Sequence, residues 1–215
     1  MSFLTDFESH LPRNLLRKFN DLDTPFAVQE YLDSLPYIGE ERDRSPLNVM
    51  LDGQCHCLDG GFLAALCLWR IGFKPLLTDL LPAPGMDDDH VLALYRIDGR
   101  WGAVAKSNYV NLGFREPVYK SLRELVMTYF EWYTNFDKQK SLRGYTRPLD
   151  LSHFDENWMW SDDGIRQVSR RLYSCKSIPL ISPEMAVTLH TADERSYLAN
   201  TQGTDFGWVY GVRPS

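Results

Sequence analysis

Apolar residues recur at spacings of three and four after Cys57. Leu58, Phe62, Leu66 and Trp69 follow this spacing, and Gly72 comes directly after the repeat. An apolar repeat with the period of an α-helix, closed by a glycine, predicts a buried helix over residues 57–71. Cys57 stands at the N-terminal end of that helix.

Two apolar runs, residues 90–97 and 100–105, flank the dipeptide Asp98-Gly99. Asp-Gly is favoured in the two-residue type I′ turns that join antiparallel strands, so the pattern predicts a β-hairpin. Residues 76–81 predict a further strand. An acidic loop rich in proline and glycine, residues 79–89, precedes the hairpin.

Helices are predicted elsewhere from their start signals. Thr24-Pro25 is typical of a cap followed by a first helical residue, and Ser121 with Glu124 forms a capping box before an apolar stripe that runs to Tyr133. Residues 162–173 and 182–189 also favour helix, whereas residues 39–53 and 201–215 are predicted to be irregular.

These elements predict one α+β domain over residues 1–215. Its core is expected at about residues 24–145, with a helical extension at about 146–215. A chain of 215 residues, 44% of them hydrophobic, can enclose one good-sized core.

The charge and the N-terminal segment exclude several classes of partner. A net charge of −6 argues against a nucleic-acid surface, which needs clustered lysine and arginine. Charged residues interrupt the N-terminal segment, and no apolar stretch reaches spanning length, so no membrane partner is expected. The four cysteines are too few for a disulfide scaffold. We therefore expect a cytoplasmic protein with reduced thiols.

Cys57 and His90 carry the candidate chemistry. A cysteine at a helix N-terminus meets unpaired N–H groups and the positive end of the helix dipole, which favour the thiolate. A histidine at the start of a strand can be packed against that helix end and serve as a base for acyl transfer. The hypothesis is a Cys57 nucleophile with His90 as its base.

The residues around this pair resemble the transglutaminase-like superfamily. Cys57-x-Asp59-x-Gly61 followed by Gly72 is similar to its nucleophile helix, and the run from His90 through the tight turn to Trp101 is similar to its histidine hairpin. Further segments resemble a bacterial branch of that superfamily: Arg44-Ser-Pro46, residues 101–108 and residues 115–119.

The resemblance implies a papain-like fold in which the nucleophile helix packs on an antiparallel sheet, with extra helices here. It implies acyl transfer through a thioester on a peptide or a small acyl or amide substrate. Hydrolysis of peptidase or amidase type is the first expectation, and amide transfer to an amine is the second. No cofactor and no metal are expected.

The third member of the catalytic group departs from the family pattern. The family acid would stand four residues after Trp101, where this chain has Ala105. The hairpin register places Ser107 opposite His90, and Asn108 is within reach through a bulge. We favour Asn108 over Ser107 as the orienting group, and a dyad without a third member stays open. Gln54 is a candidate oxyanion donor, by analogy with an upstream glutamine in papain-like enzymes.

Two rival hypotheses remain. The vacant acid position would suit a catalytically inactive fold that acts as a binding or scaffold module. Cys55-His56-Cys57 suggests a metal site, but no second pair of ligands follows at zinc-type spacing, so this interpretation ranks last.

Overall fold

The computed structural model describes residues 2–210, with side chains from residue 4 onward. The helices in that range are Ser2–Ser9 (α1), Arg13–Asp21 (α2), Pro25–Ser34 (α3), Pro46–Asp52 (α4), Cys57–Arg70 (α5), Leu122–Met127 (α6), Asp162–Tyr173 (α7), Pro183–Ala186 (α8) and Glu194–Asn200 (α9). The strands are Leu76–Pro82 (β1), His90–Ile97 (β2), Arg100–Val104 (β3), Arg115–Tyr119 (β4), Leu142–Thr146 (β5), Leu149–Asp150 (β6) and Ser177–Pro179 (β7).

The seven strands form one antiparallel sheet in the order β4-β3-β2-β1-β5-β7, and β6 also pairs with β1. The predicted α+β class is therefore confirmed. The central hairpin has the predicted register, with Ile97 opposite Arg100. Asp98 and Gly99 both have positive φ, at 49° and 77°, as a type I′ turn requires.

Helix α5 packs closely on the sheet because Gly61 faces β2 and Gly60 faces the segment just after β3. A Cβ on Gly61 would lie 2.7 Å from Val91 Cγ1, and one on Gly60 would lie 2.4 Å from Lys106 Cβ. Only glycine allows so close an approach. The packing fixes the N-terminal end of the helix against the start of β2.

Strand β2 is buried on both faces. Val91, Ala93 and Tyr95 belong to the hydrophobic cluster that contains α5, whereas Leu92 and Leu94 belong to a second cluster on the opposite face. Side chains alternate along a strand, so His90 shares the face of Leu92 and Leu94.

The core begins earlier in the chain than expected. Phe7 and Phe19, on α1 and α2, are fully buried, and their ring centroids lie 5.1 Å apart. The sequence did not predict these short helices. Nor did it predict α4, although Ser45 caps that helix and Pro46 begins it.

The later elements also differ from the expectation. The capping box at Ser121 starts a helix, but α6 ends at Met127, and the stripe residues up to Tyr133 are buried in turns. The expected C-terminal extension is only partly helical, because β6 and β7 add to the sheet and the expected boundary runs through β5. Edge strands of two or three residues carry almost no pattern to detect.

Among the helices described between residues 2 and 210, none combines the length and apolar character that crossing a bilayer requires.

We predict that Gly61→Ala destabilises the fold by about 1–3 kcal/mol, because the added methyl overlaps Val91. Urea unfolding would measure the change. The control is the double variant with Val91→Ala, which removes the opposing methyl. If the two changes act through this contact, the free energy of unfolding falls less in the double variant than the sum of its decreases in the two single variants. Strict additivity would contradict the packing explanation.

Candidate active site

Asp59 anchors the start of α5. This buried carboxylate accepts hydrogen bonds from the backbone N–H groups of Arg44 at 2.7 Å and His56 at 3.4 Å, and the Arg44 guanidinium lies 3.7 Å away. Burial raises the pKa of Asp59 to about 7, and the N–H groups oppose that rise. The contacts join the loop before α4 to the helix end that carries Cys57. The sequence alone gave no sign of this anchor beyond the position of Asp59 in the first helical turn.

The Cys57 thiol lies at the start of β2. Its side chain is 8% exposed, and Sγ lies 3.8 Å from the carbonyl oxygen of Asp89, the residue before His90. Tyr37 lines the same cleft as the thiol. The nucleophile helix therefore reaches the start of the histidine strand, but the imidazole of His90 lies on the opposite face of that strand.

The electrostatic surroundings of Cys57 favour a neutral thiol. Burial, and then the negative charges of Asp89 and Asp88, raise the pKa of Cys57 well above its usual value, and the Val91 N–H opposes this only in part. The helix N-terminus by itself would favour the thiolate. Desolvation and the acidic loop outweigh it, because both act on a nearly enclosed sulfur.

His90 has a fixed tautomer. Its Nε2 lies 2.8 Å from the carbonyl oxygen of Leu112, which can only accept, so Nε2 carries the proton and Nδ1 has the free lone pair. The ring is 4% exposed, and burial lowers the pKa of His90 to about 4. The imidazole is neutral at pH 7 and holds one nitrogen ready to accept a proton.

The thiol and the imidazole both lie at the start of β2, but they line two different spaces. Cys57 lines a cleft of about 420 Å³, whereas His90 lines a cavity of about 40 Å³. Tyr37, Asp88 and Asp89 belong to the walls of both spaces. No hydrogen bond joins Cys57 to His90 in the part of the chain that the structure describes.

Asn108 and Ser107 line the His90 cavity, but their side chains bond elsewhere. The Asn108 amide bonds the backbone N–H and C=O of Asp205 at 3.0 and 2.9 Å, and the Ser107 hydroxyl accepts from the Tyr109 N–H at 2.9 Å. The ring partner is instead the Leu112 carbonyl. Strand β3 ends at Val104, so the register expected for Ser107 does not continue that far. A backbone carbonyl leaves no signature in a sequence.

Ala105, at the position where the resemblance led us to expect an acid, is a buried core residue. Gln29 holds its backbone at both polar atoms, donating to its carbonyl at 2.9 Å and accepting from its N–H at 3.0 Å. Gln54, the candidate oxyanion donor, is not among the described residues that line the Cys57 cleft. Leu58 lines it beside Cys57, and N–H groups of a first helical turn lack intrahelical acceptors.

A buried carboxyl pair lies beside the thiol. Asp79, on β1, is 1% exposed, and neither of its side-chain oxygens has a hydrogen-bond partner among the described residues. Burial, and then the charge of Asp89, raise the pKa of Asp79 to about 9. Burial, and then the charge of Asp88, raise the pKa of Asp89 to about 6. The sequence placed Asp79 in the acidic loop, residues 79–89, but gave no sign that its carboxyl is buried near Cys57.

The last described residues cover both spaces. Trp208, Val209 and Tyr210 line the Cys57 cleft and the His90 cavity. The Trp208 side chain packs on the backbone of Gly39, where an added Cβ would lie 3.1 Å from Trp208 Cβ. The bonds between Asn108 and Asp205 hold this segment in place.

The residues proposed for a metal site do not come together as a group. His56 Nε2 lies near Asp43 and Asp59, and one ligand atom from each of these three residues falls within 4.8 Å of the others. Asp59 already accepts two backbone hydrogen bonds. Cys55 is fully buried, and burial raises its pKa to about 12.

Comparison with known proteins adds no assignment. Neither the models of known protein families nor the curated proteins give a match to this chain.

We predict that Asp79→Asn becomes progressively more stabilising, relative to the unchanged chain, as the pH rises from about 5 to about 9. The folded-state pKa of Asp79 is raised, so the native state holds a proton that the unfolded chain releases. The stability it contributes is present below the unfolded pKa and is lost as the pH rises toward about 9. The expected difference is on the order of 1–3 kcal/mol by urea unfolding.

The control for this experiment is Asp137→Asn, which removes one exposed charge. It reports the effect of net charge alone. A pH-independent difference between Asp79→Asn and the unchanged chain would show that the carboxyl is ionised in the folded state.

We predict that Trp208→Ala speeds alkylation of Cys57 by iodoacetamide severalfold, because the indole covers the cleft. Cys175→Ser serves as the background, since Cys175 is the most exposed thiol. Mass spectrometry of the Cys57 peptide gives the rate. Val187→Ala, on an exposed residue outside the cleft, is the control. An unchanged rate would show that Trp208 does not limit access.

Proposed function

We propose that this chain is a cysteine-dependent acyl-transfer enzyme with a transglutaminase-like, papain-type arrangement. Cys57 is the nucleophile, His90 is the base, and the substrate is an amide or thioester. The carrying observation is that the helix-terminal thiol touches the start of the strand whose histidine has its Nε2–H fixed on Leu112. Hydrolysis, of peptidase or amidase type, is the primary reaction, and amide transfer is the variant in which an amine replaces water.

The resting pair is neutral, so the reaction begins with general-base catalysis rather than with a preformed ion pair. When a substrate carbonyl enters the cleft, the thiol gives its proton to Nδ1 of His90, and the sulfur attacks the carbonyl carbon. This step requires the imidazole and the thiol to come within hydrogen-bonding distance. His90 lies on the face of β2 opposite α5, so the start of β2 must also rearrange to turn the imidazole toward the cleft.

The tetrahedral intermediate carries its negative charge on the former carbonyl oxygen. The N–H groups of Cys57 and Leu58, at the start of α5, are the donors best placed to stabilise it. The imidazolium then returns its proton to the leaving amine or thiol, and a thioester on Cys57 remains. Water, or an amine, then gives a proton to His90 and attacks the thioester carbon. The carbon–sulfur bond breaks, and His90 returns that proton to the departing Cys57 sulfur.

The Leu112 carbonyl takes the place of the missing acid. It keeps Nε2 protonated and orients the ring, as Asn108 or Ser107 was expected to do. A neutral carbonyl stabilises an imidazolium less than a carboxylate does, so a modest rate is expected.

A second candidate function is a catalytically inactive binding module. The raised pKa of Cys57 and the burial of both side chains favour it, because the thiol is not ionised and a substrate cannot easily reach either group. This candidate requires no transfer of an acyl group to the thiol.

We predict that p-nitrophenyl acetate acetylates Cys57 in the Cys175→Ser background. Cys57→Ala abolishes the adduct, and His90→Ala slows it by about 100-fold or more, because the proton acceptor is lost. Mass spectrometry of the Cys57 peptide measures the rate. Circular dichroism, and a second variant, His90→Gln, control for misfolding. An equal rate in the His90 variants would favour the binding module.

A further inference from the structure

We propose that the Cys57 cleft recognises a guanidinium group, so that the acyl compound carries an arginine-like side chain. This inference rests on the proposed function only in placing that side chain next to the reacting carbonyl. The binding itself depends on the charges and aromatic surfaces of the cleft, and not on catalysis.

The cleft is lined by acidic groups. Five acidic residues line it: Glu40, Glu41, Asp43, Asp88 and Asp89. None of the described lining residues is a lysine or arginine. Glu40 pairs with Arg44, which lies outside the cleft, but Glu41, Asp88 and Asp89 form no ion pair within the described part of the chain. The unpaired charges favour a cation from outside.

Asp79 provides an independent indication. No N–H or hydroxyl donor in the described part of the chain bonds its buried oxygens, and its neighbour Asp89 is also acidic. A buried carboxyl pair without a positive partner costs free energy. Asp79 interacts with Asp89, which lines the cleft, and it affects the pKa of Cys57 and Tyr173. A cation held by Asp89 would supply the positive partner that this carboxyl pair lacks.

The aromatic walls favour an organic cation over a metal ion. Tyr37, Tyr173, Trp208 and Tyr210 line the cleft together with the carboxylates. A space of about 420 Å³ is much larger than a metal ion needs. Cations are attracted to aromatic faces, and a planar guanidinium can stack on a ring while its N–H groups bond carboxylates. An ammonium is more strongly hydrated and has three donors, so it fits this combination less well.

The test is calorimetric titration of the Cys57→Ala protein, which cannot turn the ligand over. The ligands are Nα-acetyl-arginine amide and Nα-acetyl-citrulline amide. The arginine side chain ends in a charged guanidinium group, and the citrulline side chain ends in an uncharged urea group of similar shape. We expect arginine amide to bind at least about tenfold more tightly, since a charged hydrogen bond is worth about 1.5–3 kcal/mol. Nα-acetyl-lysine amide is expected to bind more weakly than the arginine compound.

Asp89→Asn, added to Cys57→Ala, should remove most of the preference for arginine over citrulline. Glu116→Gln is the matched control, because it removes one exposed carboxylate outside the cleft and should keep the preference. Equal binding of arginine and citrulline amides, tighter binding of lysine amide, or a preference that survives Asp89→Asn would overturn the proposal. Titration with MgCl₂ or CaCl₂ that shows a site dependent on Asp89 would also overturn it. None of these outcomes depends on acylation of Cys57, so they are separate from a failure of the proposed reaction.

Discussion

The close glycine contacts of α5, with β2 and with the segment after β3, are the constraint on which the site depends. Gly60 and Gly61 bring the helix so close that a single methyl group would overlap Lys106 or Val91. Because the helix cannot move away, its first residue, Cys57, is held at the start of β2. The same packing encloses the sulfur, so the arrangement that positions the thiol also removes it from water and raises its pKa.

Burial also explains the unusual charge states around the cleft. Cys57, His90 and Asp79 are all nearly inaccessible, and desolvation is the leading cause of each shift in pKa. It favours the neutral form of all three. The resting site is thus a thiol beside a neutral imidazole and a proton-holding carboxyl pair. A ligand that brings positive charge, or a movement that admits water, would change all of these equilibria together.

The covering segment and the cleft form one structural unit. Asn108, favoured from the sequence as the group that orients His90, instead fixes Asp205 through two hydrogen bonds. That contact brings Trp208 over both the Cys57 cleft and the His90 cavity. Orientation of the imidazole is left to the Leu112 carbonyl. The chain around residue 108 therefore holds in place the segment that covers the site, and it does not orient the imidazole of His90.

The sequence by itself determined the local elements: the helix that begins at Cys57, the hairpin that turns at Asp98-Gly99, and the α+β class. These depend on periodicity and turn chemistry, which neighbouring residues specify. The tertiary structure decided that β6 and β7 join the sheet, that Asp79 lies by the thiol, and that Leu112 contacts His90. Those features depend on contacts between distant segments, and on backbone atoms that every residue type possesses, so no local pattern records them.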